Sequence, residues 1–178
     1  MQFDLSRNYF ELFGLLPGFH IDSEKLELSY RDIQSHVHPD RYAQAADNER
    51  RVSMQLSAHA NEAYRTLKKP LNRARYLLQL RGVDALEESN TAMSSQFLMQ
   101  QMDSREAIAD AAASRNEAKL QKLDKELKQE VEILLNLLGM QLDHDQDDGA
   151  AAESVRKLKF MEKLLLEVQD TFEVLETI

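Results

Sequence analysis

Between residues 22 and 37 the apolar side chains Leu26, Tyr30, Ile33 and Val37 recur at steps of three and four. With Asp22 or Ser23 available as an N-cap, this spacing predicts an amphipathic helix. A second helix is predicted over about 47–67, with Val52, Leu56, Ala60, Ala63 and Leu67 on one face. The two stripes would pack against each other as an antiparallel hairpin turning through residues 38–46. Pro39 keeps His38 out of the helical region and supplies no N–H, so the first helix must stop by about Val37. Pro70 permits a new helix start, Leu71 to Leu80 is apolar on one side, and Arg81-Gly82 supplies a basic last turn and a C′ glycine. A first domain is therefore expected over 1–82. Residues 83–94, VDALEESNTAMS, are acidic and polar with weak periodicity, and read as a linker. Beyond it lie three helical stretches, about 95–113, 116–138 closed by Gly139, and 150–176, with a turn over 140–149. Leu120, Leu123, Leu127, Val131, Leu134 and Leu138 form the seam of one; Val155, Leu158, Met161, Leu165, Val168, Phe172 and Leu175 form that of the next. Such seams and short connections predict an antiparallel three-helix bundle over 95–178.

Composition agrees with an all-α chain. The 178 residues contain five Gly and three Pro, Leu, Ala, Glu, Lys and Gln dominate, and clustered Val, Ile and Thr suited to strands are scarce. A formal net charge of −9 argues against a nucleic-acid partner, which needs a basic face to displace phosphate counterions. No Cys is present, which excludes a thiolate nucleophile, a disulfide framework and thiolate metal ligands. The start MQFDLSRNYF lacks the basic residues and apolar run of a signal peptide, and no apolar run approaches membrane-spanning length. The expectation is a soluble cytoplasmic chain with no membrane partner.

The densest chemistry lies in His36-Val37-His38-Pro39-Asp40. His-x-His spacing serves metals on strands, but here it straddles a helix end, which points the rings apart. His20, His59 and His144 are scattered, and no Cys or Glu completes a ligand set, so no metal or other cofactor is expected. Acid–base work by His38 and Asp40 lacks a nucleophile motif or a Gly-rich phosphate loop, so an enzyme is not expected. Asp after Pro is ordinary turn chemistry, which leaves a plain turn or a loop shown to a partner.

In its context this loop resembles the signature His-Pro-Asp of the J-domain family. NYFELFGL at 8–15 is similar to that domain's first short helix, and NEAYRTLKKPLNRARYLL at 61–78 to the end of its third helix and entry to its fourth. FLMQQMDSRE at 97–106 and VRKLKFMEKL at 155–164 are similar to the carboxy-terminal domain of the HscB family, the J-type co-chaperones of iron–sulfur cluster assembly. The resemblance implies that His38, Pro39 and Asp40 trigger ATP hydrolysis in a dedicated heat-shock ATPase chaperone of the HscA class, with Lys25, Arg31, His36 and Arg41 adding electrostatic steering. Asp40 would pair with a partner Arg, Pro39 would fix the approach and His38 would hold the loop. The helix before the loop departs from the family pattern: Glu24, Glu27 and Asp32 are interspersed with Lys25 and Arg31, and Ser35-His36 stand where many relatives are basic. Docking is then expected to be weaker or more sensitive to pH than is usual. Human-type relatives carry an additional Cys-containing amino-terminal segment, and the bacterial form is expected here.

In the second part, Phe160 lies about 120° from the centre of its helix's apolar stripe and should be partly exposed. Phe97, Leu98 and Ile108 share an inward arc on the preceding stretch, with Met99 on its outer side and Met102 at its edge. Exposed Phe, Leu and Met side by side suggest an adaptable docking patch, or else an apolar arc packed against the first domain. The resemblance implies that this patch binds the cluster scaffold IscU through Leu98, Met99, Met102, Asp103, Arg105, Glu106 and Phe160. Asp103 stands where relatives often have Glu, which would shorten that contact. The rival expectation, a general J-protein delivering unfolded clients to a DnaK-class chaperone, is disfavoured by the absence of a Gly/Phe-rich linker and Cys-rich zinc repeats.

Overall fold

The structure is a computed structural model that describes residues 7–42, 45–86 and 93–176, apart from the side chains of Pro39 and Asp40. Every regular element among the described residues is helical. The chain divides into two compact units, Met1–Leu77 and Leu78–Ile178.

The first unit contains α1 (Tyr9–Leu12), α2 (Ser23–Val37), a 3-10 turn (Pro39–Tyr42), α3 (Asp47–Lys68) and the start of α4 (Pro70–Leu80). The four-residue α1 is too short to nucleate alone, and a capping box starts it. The Asn8 side chain accepts from Glu11 N–H and the Glu11 carboxylate accepts from Asn8 N–H, both at 3.0 Å. Asp22 caps α2 by accepting from Lys25 N–H at 2.9 Å. At the other end His38 adopts φ −58° and ψ 127°, the extended conformation that a following proline enforces. Phe10, Phe13, Phe19, Leu26, Ile33, Val37, Ala60, Ala63, Leu67, Leu71, Ala74 and Leu77 form the core.

On α3 the buried face departs from the predicted stripe. Val52 is 48% exposed and Leu56 half-buried, while Ser53 and Ser57 lie inside with Ala60, Ala63 and Leu67. The serines are small enough for α2 and α3 to approach closely, and each hydroxyl finds a partner on α2. Ser53 Oγ donates to the Val37 carbonyl at 2.7 Å, and Ser57 Oγ to Gln34 Oε1 at 3.2 Å. A buried hydroxyl so paired carries little desolvation cost, which lets helix geometry override hydrophobicity here.

The second unit is built from α5 (Ser95–Ala113), α6 (Glu117–Gly139) and α7 (Asp148–Glu176). Ser94 and Asn116 cap α5 and α6, accepting from Phe97 N–H at 3.2 Å and Lys119 N–H at 2.9 Å. Ile108, Ala111, Leu120, Leu127, Met161, Leu164 and Val168 form one cluster, with Phe97, Leu123, Val131, Leu165, Phe172 and Leu175 packed against it. In α7 the fully buried position is Leu164, with Leu165 beside it half-buried. The expected turn over 140–149 is shorter than predicted: Met140–Asp145 prolongs α6 as a π-helical segment. The wider winding carries Leu142 fully into the core, and Gln146, at φ 52°, ends the helix in the left-handed region. Arg81 holds this segment, donating to the Leu142 carbonyl at 2.9 Å and pairing with Asp148 at 2.7 Å. Within this unit, Ala85 is buried and its carbonyl accepts from Arg156 at 3.2 Å; residues 87–92 of the expected linker lie outside the described residues. Among the described residues no helix is long and apolar enough to cross a membrane.

Candidate functional site

Pro39–Tyr42 forms a single 3-10 turn between the C-terminus of α2 and the approach to α3. A helix ending here leaves carbonyls without intrahelical donors. Three are taken up by side chains of the turn itself and of α3. Arg41 Nη1 donates to the Ser35 carbonyl, Tyr42 Oη to His36 at 3.2 Å and Ser53 Oγ to Val37 at 2.7 Å. Arg41 N–H also donates to the His38 carbonyl at 3.0 Å. The backbone around His38 is thereby tied to both helices, and the His38 side chain is exposed. The side chains of Pro39 and Asp40 lie outside the described atoms. Tyr42 and Ser53 were not legible as loop supports from sequence, because their partners are main-chain carbonyls that carry no sequence signal.

Of the candidate chaperone-docking residues, the structure brings Arg31 and His38 to one shallow groove between α2 and α3, lined also by Tyr30, Gln34, Ser57 and Asn61. Asn61 Oδ1 accepts from both Tyr30 and Gln34 at 2.8 Å, which fixes the groove floor. Lys25 stands a helix length away, roughly 20 Å along α2 at 1.5 Å per residue, with its ammonium on the Gly14 carbonyl at 2.6 Å. Arg31 pairs with Glu27 at 3.0 Å, and His36 Nδ1 approaches the Asp32 carbonyl at 2.8 Å. Glu27 thus partly neutralises the Arg31 cation on that face.

Glu27 belongs to a further network. Tyr64 stacks on Tyr30 at 4.0 Å between ring centroids, its hydroxyl donates to the Glu27 carboxylate, and Lys68 donates to that hydroxyl at 2.8 Å. The hydrogen bond from Tyr64 is the main cause that holds the Glu27 carboxyl below its usual range, and Arg31 and Lys68 add to it. The Lys68 ammonium is pushed up, chiefly by its hydrogen bond to Tyr64. Among the described residues no group of three His, Asp or Glu is placed to hold a metal ion.

The second candidate surface lies on α5 and α7. Met99 and Met102 are 65% and 69% exposed, Leu98 is 44% exposed, and Asp103 and Glu106 are exposed. The expectation that Leu98 points inward is corrected. The inward position is filled by Gln101, 3% exposed, whose amide donates to the Met161 sulfur at 3.3 Å. At about 100° per residue Gln101 lies nearer the direction of Phe97 and Ile108 than Leu98 does. Phe160 is half-buried, its ring edge-on to Phe97 with centroids 6.1 Å apart. Arg105 is engaged with Glu167 of α7 at 3.2 Å. Leu98 and Phe160 meet in one groove that Leu86, Met93 and Leu166 complete; Met99 and Met102 lie outside its lining, toward solvent. The same groove is bordered by Arg156, Lys159 and Lys163, residues sequence reasoning passed over although their spacing of three and four marks one helical face.

Comparison with known proteins gives one consistent result. Residues 93–169 match the family model described as the HSCB C-terminal oligomerisation domain. The co-chaperone protein HscB homolog of Aromatoleum aromaticum is 47% identical over 99% of this chain and 100% of its own length. That of Burkholderia multivorans is 51% identical over 97% of this chain and 98% of its own. Among solved structures, the chaperone HscB from Vibrio cholerae superposes with a TM-score of 0.85 at 38% identity, covering 95% of this chain and 99% of that one. The human co-chaperone protein HscB gives 0.87 at 29% identity, covering 93% and 82%. Full-length likeness at this identity, with the same two-unit helical fold, places the chain in the HscB family of co-chaperone proteins.

Proposed function

We propose that this protein is a J-type co-chaperone of iron–sulfur cluster assembly that stimulates the ATPase of an HscA-class chaperone and delivers the scaffold IscU to it. The observation that carries the reading is the His38-Pro39-Asp40 turn, held between α2 and α3 by side chains on the carbonyls of Ser35, His36 and Val37. A loop so tied loses little conformational freedom on docking, which leaves more of the contact energy for the partner. On it Asp40 supplies a carboxylate suited to bidentate pairing with a partner Arg, and Pro39 a fixed approach. Arg31, His38 and the α2–α3 groove form the adjoining docking surface, with Lys25, His36 and Arg41 as outlying charge. The co-chaperone performs no chemistry itself, and any iron–sulfur cluster is cargo of the scaffold.

Scaffold capture is assigned to Leu98, Met99, Met102, Asp103, Arg105, Glu106 and Phe160. Residues 1–82 act as the J-domain, 83–94 as linker and 95–178 as the capture domain, in the cytoplasm. The test is ATPase stimulation of the chaperone with and without scaffold. Asp40→Asn preserves size and turn tendency but removes the charge, and should abolish most of the stimulation with the circular dichroism spectrum unchanged. Full stimulation by a folded Asp40→Asn variant would overturn the reading.

A further inference from the structure

The groove of about 680 Å³ on α5 and α7 has a largely apolar lining that includes Leu98, Phe160 and Leu166. Its border is not neutral. Among the described residues, Arg156, Lys159 and Lys163 line it against one acid, Glu162, on a chain whose net charge is −9. The local sign is therefore the reverse of the molecule's.

The three cations are not equivalent. Arg156 is half-buried and donates to the Ala85 carbonyl at 3.2 Å, so it serves the unit's own packing. Lys159 and Lys163 are exposed, and no ion pair holds either of them among the described residues. Elsewhere on the same unit Lys119, Lys122, Lys128 and Lys157 each lie beside a carboxylate within 3.7 Å. Two uncommitted ammonium groups, one helical turn apart, thus stand over an exposed apolar floor. That combination fits neither a purely apolar partner, which would leave the lysines idle, nor a nucleic acid, which needs a broader cationic face.

We propose that this groove accepts a scaffold segment in which acidic side chains flank an apolar anchor, with Lys159 and Lys163 selecting that segment by charge. The proposal rests on the scaffold-capture reading and deepens it by naming the chemistry recognised. Rim charges of this kind remain hydrated and act mainly on the association rate and on partner choice, while the apolar floor holds the complex. The overall negative charge repels acidic partners elsewhere on the surface, so the groove also fixes where such a segment docks.

The experiment measures association rate and affinity of the full chain for the iron–sulfur scaffold protein at about 50 and about 500 mM salt, which spans strong and weak screening. The variants are Lys159→Glu/Lys163→Glu, Lys159→Arg/Lys163→Arg and Phe160→Ala, each checked by thermal melting. Charge reversal should slow association about 10-fold or more at low salt and flatten its salt dependence, while the Arg pair behaves as wild type. Should the Glu pair disturb folding, Lys159→Gln/Lys163→Gln takes its place, with a smaller loss expected. A wild-type rate and salt slope in a folded charge-reversed variant would overturn the proposal. If Phe160→Ala still weakens capture in that case, the scaffold reading stands and the charge selection alone falls. If all three variants bind as wild type, the patch is not the capture site and both fall. A change in self-association with scaffold binding intact would make the groove a contact between copies, which also overturns the proposal.

Discussion

Along α3 the apolar stripe and the packed face separate at Val52 and Ser53, and two truncations to Ala distinguish them quantitatively. Ser53 is 3% exposed and its hydroxyl donates to the Val37 carbonyl at 2.7 Å. Ser53→Ala removes that bond and leaves the carbonyl without this donor in a buried setting, a loss of about 1 to 3 kcal/mol. The better helix propensity of Ala returns roughly 0.5 kcal/mol, so the expected net cost is about 0.5 to 2.5 kcal/mol. Val52, at 48% exposure, shields only about half of its side chain. Removing its two methyl groups should cost roughly 0.8 kcal/mol, mostly cancelled by the same propensity gain. Urea unfolding followed by tyrosine fluorescence is the assay. All five tyrosines, Tyr9, Tyr30, Tyr42, Tyr64 and Tyr76, lie in the first unit and the chain has no Trp, so the signal reports that unit alone. Because Ser53 supports the carbonyl preceding His38, its variant should also stimulate the chaperone ATPase less well at equal folded concentration. A larger stability loss for Val52→Ala than for Ser53→Ala would refute the reasoning and restore the stripe predicted from periodicity.

Phe160→Ala should cost about 1 to 2 kcal/mol of stability, below the roughly 3 to 5 kcal/mol of a fully buried Phe, because the ring is half-buried. The same variant should weaken scaffold binding by about 1 to 3 kcal/mol with basal ATPase stimulation intact; calorimetry and melting of one sample check both. Glu27 is held below its usual carboxyl range chiefly by Tyr64, so its stabilising contribution is present above that range and is lost as pH falls through the lowered value. Tyr64→Phe should move the Glu27 titration, followed by carboxyl NMR, back up toward the ordinary range and remove most of that acid-limb dependence. Arg115 occupies the left-handed region at φ 49° in the α5–α6 turn, so Arg115→Gly should leave the bundle's stability unchanged or raise it by up to about 1 kcal/mol, as read by thermal melting.

What the sequence by itself determined is the set of features whose causes are local. Pro39 sets the end of α2, the side chains of Asp22, Ser94 and Asn116 begin α2, α5 and α6, and the Leu-rich seam of α6 follows its helical period. Phe160 could be read as partly exposed for the same reason, since its angle to the α7 stripe depends on nothing beyond the helix itself. Tertiary structure decided the features that need a partner from another element. Ser53 and Ser57 lie inside α3 because Val37 and Gln34 meet their hydroxyls, and a hydropathy pattern rates a serine the same whether or not such a partner exists. Gln101 can occupy the inner face that its helical angle gives it because Met161 receives its amide, and Leu142 reaches the core because α6 winds on as a π-helix that Arg81 holds from outside. The loop's carbonyl supports and the positive groove on α7 belong to this second class. The carbonyl supports arise because main-chain acceptors carry no sequence signal, and the groove because Leu98 of α5 and Phe160 of α7 meet only when the helices pack, at distances and in dielectric surroundings that only folding creates.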